Sequence, residues 1–224
     1  MDTAIAWNHL RGLTPLSLCD WPGHPCCVVF LGGCNLRCPT CHNGGMAWDM
    51  EAQPLVPQAA LRAFLARRKR WLSGITVTGG EPTHVPGVGA ILHELASSGL
   101  PIKLDTNAML PEVVELMLAE GLVSRFAVDV KGPFAKYPAL TGGAVTEQDA
   151  RRNLSRIFAL AESRPGAFSF RTTLVPLLDE NDIDAVRALL PAGFSLTTQE
   201  YKPPRRSHAL SDTEARRTTG NLVH

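Results

Sequence analysis

The sequence predicts an α/β protein whose parallel strands form an incomplete (β/α)6 barrel. Apolar, β-rich segments alternate with segments of helical periodicity from residue 26 onward. A strand followed by a helix and a further strand implies a right-handed crossover, and repetition of this unit gives a mostly parallel sheet. Six such units are too few for the closed eight-stranded barrel, so we expect a barrel that is open on one side.

Six strands are predicted along the chain. The first, CCVVFL, is a continuous apolar run, which is typical of a buried parallel strand, and the second, GITVTGG, ends in two glycines. The remaining four are apolar, β-rich segments that are separated by helical segments. The predicted strands are 26–31, 74–80, 101–107, 125–132, 167–176 and 193–201.

Five helices are predicted between these strands. The first is amphipathic and the second is closed by Gly99. The third begins with Pro111 and ends at Gly121, and Thr146 is placed to cap the fourth. The predicted helices are 58–72, 88–99, 111–121, 146–162 and 179–191.

The chain is expected to contain one domain and a short C-terminal extension. Residues 1–201 carry the alternating pattern, which residues 202–224 lose. This extension is expected to lie on the surface and to be partly disordered.

Composition limits the classes of partner. Apolar residues make up 45% of the 224 residues and the formal net charge is +1, which indicates neither a nucleic-acid partner nor a membrane-surface partner. The N-terminus shows no basic start followed by an apolar run, and no uncharged apolar stretch reaches about 18 residues. We therefore expect a cytoplasmic protein with no membrane span.

The cysteines are concentrated in one segment. All six lie within residues 19–41, a pattern that in an intracellular chain favours metal binding or catalysis over a disulfide framework. Cys34, Cys38 and Cys41 have C-x3-C-x2-C spacing directly after the first predicted strand. The segment CPTCH is compatible with c-type haem attachment, with half of a zinc site or with an iron–sulfur cluster.

Three thiolates favour the cluster among these alternatives. They can bind three irons of a [4Fe–4S] cluster and leave the fourth iron open, whereas structural zinc takes four ligands. His42 adjoins Cys41, and adjacent residues rarely bind one ion well together. Haem attachment normally takes place outside the cytosol, where this chain is not expected.

A second motif, ITVTGGEP, follows the second strand. Gly79 and Gly80 allow the backbone to approach a ligand closely, and Glu81 adds a carboxylate. The same letters also form a good strand-to-helix turn without any ligand. The position at the end of a barrel strand favours a functional site.

The two motifs together resemble the radical S-adenosylmethionine superfamily over about residues 13–201. Within that resemblance, GLTPLSLCDWPGHPCCVVFLGGCNLRCPTCHN is similar to the activating enzymes of glycyl radical enzymes. It is most similar to the activating proteins of anaerobic ribonucleoside-triphosphate reductases, through the S-L-x-D-x-P-G lead-in, G-G-C-N-x-R-C and the CHN ending.

The resemblance implies two cofactors. Cys34, Cys38 and Cys41 would hold a [4Fe–4S] cluster whose fourth iron binds the amino and carboxylate groups of S-adenosylmethionine. Reductive cleavage would then give methionine and a 5′-deoxyadenosyl radical, which takes a hydrogen atom from the substrate. The cofactors carry this chemistry, so no catalytic side chain is predicted.

The resemblance also implies contacts around S-adenosylmethionine. Gly79, Gly80 and Glu81 would face its amino group, and the backbone of Thr40 to His42 would lie by the adenine. The family usually has an aromatic residue where this chain has Thr40, so some contact area with the adenine is lost.

Polar residues at later strand ends complete the predicted site. Lys131 is placed to neutralise the methionyl carboxylate. By the resemblance, Asp105, Asp129 and Thr106 would hold a monovalent cation, although polar strand ends also serve solubility and capping. Arg171 is expected to point inward to a carboxylate or to the sugar.

Two functions stay open. In the first, the protein activates a large glycyl radical enzyme, an anaerobic ribonucleotide reductase by resemblance, and receives electrons from a flavodoxin- or ferredoxin-type donor. Its substrate would be a backbone glycine on a flexible loop, for which the open barrel leaves room. In the second, it acts on a small molecule, as the 7-carboxy-7-deazaguanine synthases do. The lead-in sequence favours the first.

Overall fold

A computed structural model describes residues 3–203, and within them seven strands form one sheet. The strands are β1 (Leu10–Ser17), β2 (Cys26–Leu31), β3 (Gly74–Gly79), β4 (Ile102–Thr106), β5 (Arg125–Asp129), β6 (Phe168–Leu174) and β7 (Leu196–Glu200). Their spatial order follows the chain order, and every neighbouring pair from β2 to β7 is parallel. The outer strands do not pair with each other, which confirms the predicted incomplete barrel.

The first strand is an addition to the predicted six. β1 pairs antiparallel with β2 and its register shifts twice, so its side chains do not alternate regularly between buried and exposed. Gly12 and Pro15 lie within it. Proline is tolerated because β1 is an edge strand, whose backbone has a neighbour on one side alone. These features hid the strand from a prediction based on apolar periodicity.

The described residues form eight α-helices, the longer of which cover one face of the sheet. They are α1 (Thr3–Trp7), α2 (Gly44–Trp48), α3 (Gln58–Arg68), α4 (Val88–Ala96), α5 (Pro111–Ala119), α6 (Tyr137–Leu140), α7 (Glu147–Ser163) and α8 (Glu180–Leu189). Thr146 accepts a hydrogen bond from the backbone N–H of Asp149 at 3.1 Å, which confirms the predicted cap of α7. The three short helices α1, α2 and α6 were not predicted; α2 and α6 lie in the loops after β2 and β5.

The two faces of the sheet have different chemistry. On β6, Phe168 and Phe170 are buried beneath the helices, whereas Ser169, Arg171 and Thr173 are half-buried on the inner face. The outer face therefore supplies the core and the inner face carries polar side chains into the open barrel. No helix within residues 3–203 combines the length and the apolar character needed to cross a bilayer. The predicted extension lies outside the described residues from residue 204 on.

Candidate active site

A cavity of about 580 Å³ lies at the carboxyl ends of the strands. Every site residue predicted from the sequence lines it, although the role of each stays a prediction. These residues come from the loop after β2, from the ends of β3, β4 and β5, and from the middle of β6. They are Cys34, Cys38, Thr40, Cys41, His42, Gly79, Gly80, Glu81, Asp105, Thr106, Asp129, Lys131 and Arg171.

The three cysteines of the motif are half-buried free thiols. Burial raises the pKa of Cys34 to about 11 and also raises the pKa of Cys38. The backbone N–H of Leu36 points at the Cys34 sulfur, with a nitrogen–sulfur distance of 3.4 Å. An N–H group of this kind stabilises a thiolate that ligates an iron–sulfur cluster, and three thiols are a donor set that fits such a cluster.

The segment between the first two cysteines is held from two sides. The Arg37 N–H donates to the Thr141 carbonyl at 3.1 Å, and the Trp48 indole donates to the Leu36 carbonyl at 2.8 Å. Gly142 has a φ of +65°, and a Cβ there would lie 2.2 Å from the Arg37 carbonyl oxygen. The loop after β5 thus needs glycine where it supports the cysteine loop.

Gly79 and Gly80, at the end of β3, allow the backbone there to lie close to the backbone of residues 31–33. A Cβ on Gly79 would lie 2.1 Å from the Leu31 oxygen, and one on Gly80 would lie 2.0 Å from the Gly33 oxygen. The Asn43 side chain donates to the Gly79 carbonyl at 3.1 Å. The sequence predicted close approach to a ligand, and the structure adds a close approach to the start of the cysteine loop.

The Glu81 side chain makes its hydrogen bonds within the protein. Glu81 is 2% exposed, and its expected place against the methionyl amino group stays a prediction. It accepts hydrogen bonds from the Thr83 N–H at 3.1 Å, the Thr83 hydroxyl at 2.6 Å, the Thr106 hydroxyl at 2.7 Å and the Asn107 N–H at 2.7 Å. Burial raises the pKa of Glu81, and these four bonds oppose the shift. The carboxylate joins the end of β3 to the end of β4.

Asn107 extends this connection to the cysteine loop. Its side-chain amide donates to the Asn35 side-chain oxygen at 2.8 Å, next to Cys34. The following residue, Ala108, is buried with a φ of +64°, a strained conformation for alanine, and its N–H donates to the Thr106 hydroxyl at 3.0 Å. Sequence analysis missed Asn35, Asn43 and Asn107 as contributors. The CHN ending contained Asn43, but nothing in the sequence identified its acceptor.

Five charged side chains form a ladder across the inner face. Lys103 pairs with Asp105, and Lys131 pairs with Asp129 at 3.2 Å. Arg171 contacts both carboxylates: its Nη2 lies 3.2 Å from the Asp105 Oδ2, and its Nε donates to the Asp129 Oδ1. The ladder therefore alternates in sign and carries one excess positive charge, which suits a carboxylate-bearing ligand.

Contacts within the ladder shift the pKa values of Asp129 and Lys131. Burial disfavours the charge on Asp129, but the charges of Arg171 and Lys131 outweigh it and hold the pKa of Asp129 below its usual range. The same carboxylate holds the pKa of Lys131 above its usual range against burial. Arg171 thus lies between Asp105 and Asp129, the place where the sequence predicted a monovalent cation.

The cavity opens along β7. Thr197 to Glu200 are exposed, and the chain then passes to Lys202, whose carbonyl lies 3.1 Å from the His42 Nδ1. This contact connects the end of the described chain to the loop that carries Cys41. Among the described residues, we call the buried part of the wall at the ends of β3 and β4 the enclosed half, and the exposed part along β7 the accessible half.

Comparison with known proteins agrees with this geometry. Residues 28–190 match the radical SAM superfamily. A protein of Methanocaldococcus jannaschii, provisionally named a glycyl-radical enzyme activating enzyme, is 29% identical over 196 residues, which are 87% of this chain and 80% of that protein. The 7-carboxy-7-deazaguanine synthase of Hyperthermus butylicus is 36% identical over 112 residues, which are 48% of this chain and 46% of that enzyme.

Solved structures share the fold. SuiB of Streptococcus suis, in a crystal structure with the precursor peptide SuiA, aligns with a TM-score of 0.60 at 15% identity. The alignment covers 78% of this chain and 39% of that one, so this chain spans less than half of SuiB. The chain therefore belongs to the radical SAM superfamily, a family of enzymes that use a [4Fe–4S] cluster and S-adenosylmethionine.

Proposed function

We propose that this enzyme activates a glycyl radical enzyme by forming a radical on a backbone glycine of that partner, an anaerobic ribonucleoside-triphosphate reductase. The observation that carries the proposal is the accessible half of the cavity wall, where β7 is exposed and the inner face of β6 is half-buried. An opening of this kind admits a polypeptide loop. The relative from M. jannaschii, similar over 87% of this chain, supports the same assignment through its name.

The cysteine loop is proposed to hold the cofactors. Cys34, Cys38 and Cys41 would ligate the cluster, and a flavodoxin- or ferredoxin-type protein would supply its electron. When bound, the cluster and S-adenosylmethionine supply hydrogen-atom abstraction. We also propose that the protein is cytoplasmic and that its domain ends after residue 201.

The remaining cavity residues are proposed to position S-adenosylmethionine. Lys131, in the positively charged ladder, would bind its carboxylate. The backbone of Gly79 to Glu81 would face its amino group, and the backbone of Thr40 to His42 its adenine. The predicted monovalent cation is left out, because Arg171 already neutralises both Asp105 and Asp129.

A small-molecule reaction is the second candidate. The 36% identity to a 7-carboxy-7-deazaguanine synthase favours it, although that match covers 48% of this chain. Pockets for planar heterocycles are commonly lined by aromatic side chains. Among the described residues that line the cavity, the aromatic rings are those of His42 and Tyr201. This composition suits a peptide backbone better.

The test is a radical assay with the partner. The enzyme is reconstituted anaerobically with iron and sulfide, reduced, and mixed with S-adenosylmethionine and an anaerobic ribonucleotide reductase. We expect a glycyl radical doublet by electron paramagnetic resonance, absent with the Cys38→Ala enzyme and absent when the radical-site glycine of the partner is alanine. Cleavage of S-adenosylmethionine with no radical on the partner would count against this proposal and favour the second candidate.

A further inference from the structure

The carboxylates of Asp105 and Asp129 lie near one another and need positive charge between them. They come from the neighbouring strands β4 and β5, and Asp105 is 8% exposed. Two carboxylates held together in a poorly solvated site repel, so that one takes up a proton unless a cation intervenes. Arg171 and Lys131 both contact Asp129, and their positive charges hold its pKa below the usual range.

Arg171 is fixed in the position that such a cation would take. Its backbone lies opposite Asp129 in the register of β5 and β6. Two different nitrogens of its guanidinium reach the two carboxylates, Nη2 to Asp105 at 3.2 Å and Nε to Asp129. A guanidinium stays charged at every accessible pH and presents its donors in a planar fork, which suits two carboxylates in fixed positions.

The flanking lysines complete the neutralisation. Lys103 contacts Asp105 on one side, and Lys131 contacts Asp129 on the other. Each carboxylate thus has two positively charged neighbours. Because each carboxylate already accepts charge-assisted hydrogen bonds from two side chains, it is a poor ligand for a sodium or potassium ion.

We propose that Arg171 is the built-in counter-ion of the Asp105–Asp129 pair and that this site works without a monovalent cation. The inference rests on the proposed function only in assuming that S-adenosylmethionine binds beside the pair. Because the guanidinium is covalently part of β6, it cannot be exchanged, and neither folding nor cofactor binding should depend on which alkali ion is in solution.

The test begins with the cluster-free protein. Thermal unfolding of the wild type, Arg171→Gln and Arg125→Gln is measured in sodium, potassium and tetramethylammonium chloride at one ionic strength. Arg125 is the matched control: it lies on β5 and donates to the Phe168 carbonyl at 3.3 Å. We expect one wild-type Tm in all three salts. In tetramethylammonium, Arg171→Gln should unfold about 5 °C lower or more, because two partly buried carboxylates lose their shared partner.

The response of Arg171→Gln to small ions is the decisive result. Sodium or potassium should raise its Tm, while the Tm of Arg125→Gln should not depend on the salt. Replacing Asp129 as well, in Asp129→Asn/Arg171→Gln, should abolish the response because one carboxylate alone needs no bridging cation. Arg171→Lys keeps a positive charge and should be insensitive to the salt, which preserves the test if Arg171→Gln fails to fold.

Two results would overturn the proposal. One is a wild-type Tm that rises in sodium or potassium, since the pair would then still bind a cation with Arg171 present. The other is an Arg171→Gln protein that keeps the wild-type Tm in all salts, since the pair would then need no counter-ion. Neither the cluster nor S-adenosylmethionine takes part, so failure of the proposed function would leave this result unaffected.

Discussion

The two halves of the cavity wall are held in different ways. At the ends of β3 and β4, Glu81 accepts four hydrogen bonds from within the protein. The Asn107 side chain donates a hydrogen bond to Asn35, which is next to Cys34. At the end of β7, residues 197–200 are exposed. The first half is fixed before any ligand arrives, as a cofactor site requires, and the second is left accessible to a substrate.

The largest expected effect on stability comes from a substitution of Glu81, in the enclosed half of the wall. In Glu81→Gln an amide nitrogen replaces one acceptor oxygen, so a buried donor such as the Asn107 N–H loses its partner. We expect the free energy of unfolding to fall by about 2–3 kcal/mol and less iron to be bound after reconstitution. Urea unfolding and iron analysis measure both.

Glu94→Gln is the matched control for that change. Glu94 pairs with Arg62, whose side chain is mostly exposed, so this substitution should cost about 1 kcal/mol or less and leave iron binding unchanged. Equal effects of the two substitutions would mean that Glu81 does not join the strand ends as described.

A smaller effect is expected where the loop after β5 supports the cysteine loop. Gly142→Ala introduces strain at a positive φ and also pushes a methyl group against the Arg37 carbonyl. We expect a loss of about 2 kcal/mol in the free energy of unfolding, together with reduced cluster content. Urea unfolding and iron analysis again provide the two measurements.

A substitution of Gly143 distinguishes the effect of backbone strain from the effect of the contact with Arg37. Gly143 has a φ of +79°, and a Cβ added there would have no other atom within 4 Å. Gly143→Ala should therefore cost about 1–2 kcal/mol from strain alone and keep the cluster. If both variants lost the cluster equally, the contact with Arg37 would not be what holds the loop.

The smallest effect on stability is expected in the accessible half. Gln199→Ala removes an exposed side chain, so the free energy of unfolding should change by about 0.5 kcal/mol or less. Radical transfer to the partner should fall more than partner-free cleavage of S-adenosylmethionine, because this strand is proposed to meet the substrate. Parallel assays of glycyl radical and 5′-deoxyadenosine measure the ratio, and an unchanged ratio would contradict an accessible half that serves the substrate.

The sequence predicted the repeating fold because its signals are local. Apolar runs, Thr146 at a helix start and glycines at strand ends act within a few residues, and the six parallel strands follow from them. The edge strand β1 was missed because Gly12 and Pro15 interrupt its pattern and its stability comes from pairing with β2.

The sequence predicted which residues line the cavity but not which groups they contact. Strand-end position and motif resemblance identified Glu81, Asp105 and Asp129, since parallel strands bring their carboxyl ends to one edge. Distances between residues on different strands decide which of these groups faces the cavity and which is hydrogen-bonded to other side chains. A carboxylate such as Glu81, bound by donors 25 and 26 residues away, therefore had no local signature.

The most direct test of the proposed chemistry is reductive cleavage of S-adenosylmethionine. The wild type, Cys38→Ala and Cys19→Ala are reconstituted anaerobically with iron and sulfide, reduced, and assayed for 5′-deoxyadenosine and methionine by chromatography. We expect both products from the wild type and from Cys19→Ala, whose cysteine is exposed and outside the motif, and neither from Cys38→Ala. A wild-type protein with a full complement of iron and sulfide that forms neither product, even with the partner present, would contradict the assignment.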